Sequence, residues 1–118
     1  MEPYDPQKRY LGPQGHWLSD LIPEVPPSCE LVRPYWNKAA YNHDKGYEGD
    51  KELGIWGVIK NYFKRRKIDV TFYEDLLAGV ESVKEHLNES QYELAKAYAN
   101  IVFTAVRSGG WSFYRISE

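Results

Sequence analysis

The sequence predicts an all-α fold, with three main helices behind a long proline-rich N-terminal loop. All seven prolines fall within the first 34 of 118 residues, so nothing beyond Pro34 carries the residue that most reliably breaks a helix. From there on, apolar residues recur at spacings of three and four, the repeat of one helical face. Apolar types make up 42% of the chain and aromatics 15%, enough to bury a core within a single domain spanning residues 1–118.

Residues 1–34 read as ordered loop, with one short helical turn near "WLSDLI". Within them, "YLGPQGHW" (10–17) is the most patterned part, where Gly12 and Gly15 permit backbone angles that other residues resist. The helical core is expected over 35–114. Pro34 suits a first helical position. After it, Tyr35, Trp36, Ala39, Ala40, His43 and Tyr47 share one face. "YEGDKELG" reads as a turn. Residues 52–64 fit either a short helix or an irregular insertion, with Lys60, Lys64, Arg65, Arg66 and Lys67 among or after their apolar residues.

A helix over about 66–87 follows, with Ile68, Asp69, Phe72, Leu76, Val80, Val83 and Leu87 in one stripe. "SQYE" (90–93) has the form of a capping box, Ser90 capping and Glu93 reaching back. The last helix is expected to turn Leu94, Ala97, Tyr98, Ile101, Val102, Ala105 and Val106 inward. It should stop at Gly109 and Gly110, leaving Trp111, Phe113 and Tyr114 in a tail that packs back.

Charge and cysteine content narrow the class. A net charge of −2 gives no global field toward nucleic acid. A single cysteine, Cys29, excludes an internal disulfide and suits a reducing compartment or a viral particle. Neither a signal peptide nor a transmembrane run is visible, so a cytoplasmic or virion-associated location is expected. The basic group at 60–67, beside Ile55, Trp56, Ile59, Tyr62 and Phe63, reads either as a solvated helix start or as a seat on an anionic phospholipid membrane.

Two polar residues interrupt stripes that should be apolar. His43 lies on the inward face of one helix and Asp69 on that of the next. A buried carboxylate is costly unless paired, and an imidazole N–H is an available partner. Such a bond would orient the ring and leave its other nitrogen free to take a proton. Tyr47, one turn after His43, can donate to the same carboxylate. Asp44 lies about 100 degrees round the helix from His43, where it can face the proline-rich loop. A carboxylate with several backbone carbonyls suits a hard cation such as calcium. No GxSxG motif is present, and Cys29 has no histidine near it in sequence, so activated water is favoured over a covalent intermediate. His16 with His43 and Asp44 would also fit the H…HD…D pattern of metal-dependent phosphohydrolases. His86 reads as a helix-end or solvated residue.

"HDKGY" fits the H-D-x-x-Y signature of the phospholipase A2 superfamily. "YLGPQG" resembles that family's calcium loop, with Y-x-G-x-x-G in place of the usual Y-x-G-x-G. Asp69 within "RKIDVTFYEDL" resembles the aspartate of its dyad. The layout also resembles small phage and bacterial proteins carrying "GPQGHWLSDLIP", "HDKGY", "RKIDVTF" and "AVRSGG"-like segments, which here span residues 10–114. The resemblance implies a phospholipase A2-like fold of the disulfide-free type. It implies His43 as the water-activating base, Asp69 as its partner and Tyr47 as a brace. Calcium would be held by Asp44 with Tyr10, Gly12 and Gly15, and phospholipid would be the substrate. The alternative is a non-enzymatic, phage-associated or structural protein that keeps the fold and uses the dyad as core hydrogen bonds.

Overall fold

The computed structural model describes residues 2–8, 10–11, 22–47 and 54–116, with side chains from 55 to 108 in the last stretch. Three α-helices carry the described chain: α1 (Arg33–Tyr47), α2 (Gly54–Ser82) and α3 (Glu89–Ile116). Short 3-10 turns cover Pro27–Cys29 and Lys84–His86, and no strand occurs among the described residues. The expectation of an all-α chain with three main helices holds.

The helices run up and down. Trp36 meets Leu76, while Tyr47 meets Arg65, so α1 is antiparallel to α2. Tyr73 bonds Asn100 and Arg65 bonds the Val106 carbonyl, so α3 returns antiparallel along α2. The long helices give the molecule a 50 × 24 × 23 Å outline. Its centre is Trp36, whose indole N–H donates to the Leu76 carbonyl at 3.0 Å and whose ring stacks on Tyr98 at 4.9 Å. Val32, Leu76, Val80, Val102 and Val106 belong to the same core, all almost wholly buried.

Close approach of α1 and α2 depends on a glycine at each end of their contact. A Cβ on Gly46 would lie 3.0 Å from Ile68, and one on Gly79 would lie 2.8 Å from the Tyr35 Cβ. The described N-terminal segment straps α1 from its other side. Asn37 accepts from the Tyr10 amide (2.6 Å) and donates to the Lys8 carbonyl (2.7 Å), while the Tyr41 hydroxyl reaches the Glu2 carbonyl. Tyr4, Tyr10 and Tyr41 pack ring against ring.

The structure corrects several expectations. α1 begins at Arg33, one residue before Pro34. Tyr35 is exposed, whereas Tyr41 and Asp44 are buried, because the N-terminal strap covers a second face of α1. Residues 54–64 are neither separate nor irregular: they continue into one 29-residue α2 that ends at Ser82 rather than near 87. The cap of α3 is Asn88, not Ser90. The Gln91 amide donates to Asn88 Oδ1 at 2.8 Å and Gln91 Oε1 accepts from the Asn88 amide at 3.0 Å, a reciprocal box.

The buried stripe of α3 is Ala95, Tyr98, Ala99, Val102 and Val106, leaving Leu94, Ala97 and Ile101 exposed. Small alanines let the helix approach the core, and the larger apolar residues fall on its flank. The α3 backbone also runs through Gly109 and Gly110 to Ile116. Glycine weakens a helix by about 1 kcal/mol but does not end it without a left-handed turn or a following proline. The side chains of Trp111, Phe113 and Tyr114, and residues Gly12, Gly15 and His16, lie outside the described set.

Candidate active site

α1 contributes His43, Asp44 and Tyr47, α2 contributes Arg65, Asp69 and Phe72, and α3 contributes Arg107. They converge because 43 and 47 are one turn apart on α1, 65 and 69 one turn apart on α2, and the two helices are antiparallel. The Asp69 carboxylate is fully buried at the centre. Its Oδ1 accepts from His43 Nε2 at 2.7 Å and from the Tyr47 hydroxyl at 2.6 Å. Its Oδ2 accepts from Arg107 at 2.6 Å, with Arg65 Nε 3.8 Å away. Arg65 is itself buried. Its Nε donates to the Tyr47 hydroxyl at 3.2 Å, and its terminal nitrogen donates to the Val106 and Arg107 carbonyls at 2.9 and 2.8 Å.

The carboxylate sets the histidine tautomer. An acceptor opposite Nε2 places the proton there, so the neutral ring presents Nδ1 as an acceptor. Nδ1 faces away from Asp69 and lies 3.8 Å from Asp44 Oδ1, a charge contact rather than a hydrogen bond. His43 and Asp44 also line a cavity of about 20 Å³, with Tyr10, Leu11, Ile22 and Phe72 among others, room for one water. Phe72 and Tyr47 hold the imidazole between them, with centroids 4.5 and 4.3 Å from its own. A second space, a groove of about 200 Å³ between α1 and α2, reaches His43 past Ala39, Asn42, Gly46, Ile68 and Thr71.

Burial alone lowers the His43 pKa, but the carboxylates of Asp44 and Asp69 outweigh it and leave the imidazole above its ordinary value. Burial, with the adjacent Asp69 charge, pushes the Tyr47 hydroxyl far up against the smaller opposing effect of Arg65, so it serves as a neutral donor.

The structure thus brings together His43, Tyr47 and Asp69, with Asp44 and Tyr10 across the small cavity. His86 is exposed in the turn after α2. Two residues of the site escaped sequence reasoning as site residues, Arg65 and Arg107. In the sequence Arg65 belongs to the basic group at 60–67, which reads as a solvated helix start or a seat on an anionic membrane. Its one local signal is the four-residue spacing to Asp69 on the same helix.

Comparison with family models, curated proteins and solved structures finds no match for this chain. Among the described residues, no cluster of three His, Cys, Asp or Glu side chains is placed to hold a metal ion. A calcium site of the kind the resemblance implies would need backbone oxygens beside the single carboxylate of Asp44. Tyr10 stands across the cavity from that carboxylate, and Gly12 and Gly15 lie outside the described residues.

Proposed function

We propose that the chain is a phospholipase A2-like hydrolase that activates water for attack on a phospholipid ester. The observation that carries this reading is the setting of His43: one nitrogen is fixed by Asp69, and the residue lines a water-sized cavity together with Asp44. In the proposed reaction, the cavity water gives its proton to His43 Nδ1 as its oxygen bonds to the ester carbonyl carbon. Collapse of the tetrahedral adduct breaks the ester C–O bond. His43 returns the proton to the departing alkoxide, giving a fatty acid and a lysophospholipid. Asp69 acts through its bond to Nε2, holding the tautomer and offsetting the imidazolium charge, and Tyr47 braces Asp69. Calcium, when bound, would polarise the ester carbonyl. Asp44 with the carbonyls of Tyr10, Gly12 and Gly15 would hold it, a hard carboxylate with neutral oxygens.

The test is hydrolysis of phospholipid vesicles with calcium or with a chelator, by wild type and His43→Gln. Calcium-dependent release of fatty acid that falls by roughly a hundredfold or more in the variant is expected. Equal release by both proteins would remove the reading.

The non-enzymatic reading has its own support. Arg107 ties Asp69 to α3, Arg65 ties α2 to α3 carbonyls and His43 ties Asp69 to α1, so the cluster would also serve as a core clamp joining all three helices. Stability separates the two. In an enzyme, His43→Gln abolishes turnover with little loss of stability, whereas in a pure scaffold it lowers the melting temperature and there is no turnover to lose.

A further inference from the structure

α1 ends at Tyr47, opposite Arg65, so the first three turns of α2 extend past α1. On this overhang Ile55, Trp56, Val58, Ile59, Tyr62 and Phe63 are all exposed, Ile55 and Trp56 by 77% and 73%. Large apolar side chains at that exposure, gathered on one short stretch, are not the scattered residues of an ordinary surface. At about 100 degrees per residue they occupy an arc of roughly 160 degrees, with Lys60, Lys64 and Lys67 along one border. Arg66 projects from within the arc, and Arg65 turns inward to the site. Between Glu52 and Asp69 the chain has five basic residues and no acidic one, although its net charge is −2. The positive charge is segregated onto the helix that carries the apolar face.

We propose that the N-terminal half of α2 seats the protein on an anionic lipid surface. It would lie in the plane of the interface, its apolar and aromatic side chains at the acyl boundary and Arg66 and Lys67 among the phosphates. Charge selects this occupant. Pairing with a second copy of the same face would bring Arg66 and Lys67 toward the like charges of the other copy. Nucleic acid would match the charge but leave Ile55, Val58 and Ile59 against phosphate and sugar. No helix among the described residues is long and apolar enough to cross a membrane, which leaves binding to its surface. The proposal deepens the hydrolase reading and rests on it for the role of lipid as substrate, while the docking step itself needs no catalysis.

The experiment is cosedimentation of the full chain with vesicles of ether-linked lipids, which cannot be hydrolysed at an ester, in chelator. One set is phosphatidylcholine alone and the other is mixed with phosphatidylglycerol. Wild type and His43→Gln are expected to bind the mixed vesicles equally, and phosphatidylcholine roughly tenfold less, with binding that weakens as salt rises. Trp56→Glu/Phe63→Glu should lose binding by roughly tenfold or more, and Arg66→Gln/Lys67→Gln should lower both binding and its salt dependence, each with unchanged helical circular dichroism. If the glutamate pair disturbs folding, Ile55→Glu alone decides. Failure of wild type to bind, equal affinity for both vesicle types, or undiminished binding by the folded glutamate variant would overturn the proposal. So would a vesicle-free dimer lost in that variant, which would assign the face to a second copy. A failed hydrolase reading would instead appear as binding without hydrolysis of ester lipids.

Discussion

Arg107 and Asp69 are 38 residues apart in the chain and 2.6 Å apart in space, on helices that run antiparallel along one another. Their bond decides what kind of object the buried carboxylate is. With Arg107 on one oxygen, and His43 and Tyr47 on the other, Asp69 has good donors on both sides and a cation in direct contact. His43 therefore does not have to be charged to make the carboxylate tolerable, and it remains available as a neutral base.

Arg107→Met should destabilise the protein by about 2–4 kcal/mol, toward the lower end of what breaking a buried ion pair costs. The discount reflects an Arg107 side chain that keeps 23% of its surface exposed. Arg107→Lys should fall between the two, retaining charge but losing the planar donor geometry. Urea denaturation checks both. A loss under about 0.5 kcal/mol for the methionine variant would mean that Arg65 alone compensates Asp69.

Some of this site was legible in the sequence because a polar residue in an apolar stripe is a local anomaly. His43 and Asp69 each break a three-and-four repeat, and antiparallel helices bring them together. Arg65 and Arg107 were not legible, since a long cationic side chain reads as solvated wherever it stands. Only the tertiary arrangement selects Arg65 from Lys64, Arg65, Arg66 and Lys67 to turn inward. The phase of α3 differs from the one its apolar pattern predicts for a related reason. Leu94 and Ile101 carry more apolar surface than Ala95 and Ala99, yet the crowded space beside Trp36 and Leu76 accepts the smaller residues.

The start of α3 offers a direct check, since "NESQ" and "SQYE" are both capping-box patterns two residues apart. The bonds join Asn88 and Gln91. Asn88→Ala should therefore cost about 1 kcal/mol and Ser90→Ala no more than a few tenths. Thermal melts of the two single variants decide it, and the reverse order would move the helix start to Ser90.

Gly79→Ala tests the close approach of α1 and α2. Alanine would ordinarily favour a helix interior by about 1 kcal/mol over glycine. Here the added Cβ would stand 2.8 Å from the Tyr35 Cβ, an atom fixed to the α1 backbone that cannot rotate away. The helices must separate, and overpacking of this kind costs about 1–3 kcal/mol, enough to reverse the propensity gain. A lowered melting temperature is expected. A raised one would show that α1 shifts freely along α2.

The raised pKa of His43 ties stability and activity to pH in opposite senses. Asp44 and Asp69 face the ring from α1 and α2, with neutral Tyr47 beside it and Arg65 and Arg107 behind Asp69. Burial disfavours the imidazolium, and the two carboxylates more than restore it, so the folded value lies above the ordinary 6.5. A group whose pKa is raised by folding stabilises the fold when protonated. Its contribution is fully present below the ordinary value and is lost as pH rises through the folded value. The base, however, must be neutral to take a proton from water, so hydrolysis should increase over that same interval. In calcium-free buffer, the His43 ring signals should titrate above the ordinary histidine range by NMR, and stability should decline across the transition in wild type but much less in His43→Gln. A ring that titrates below 6.5 would reverse the stability slope, move the rise in hydrolysis to lower pH, and mean that burial, not the flanking carboxylates, governs the site.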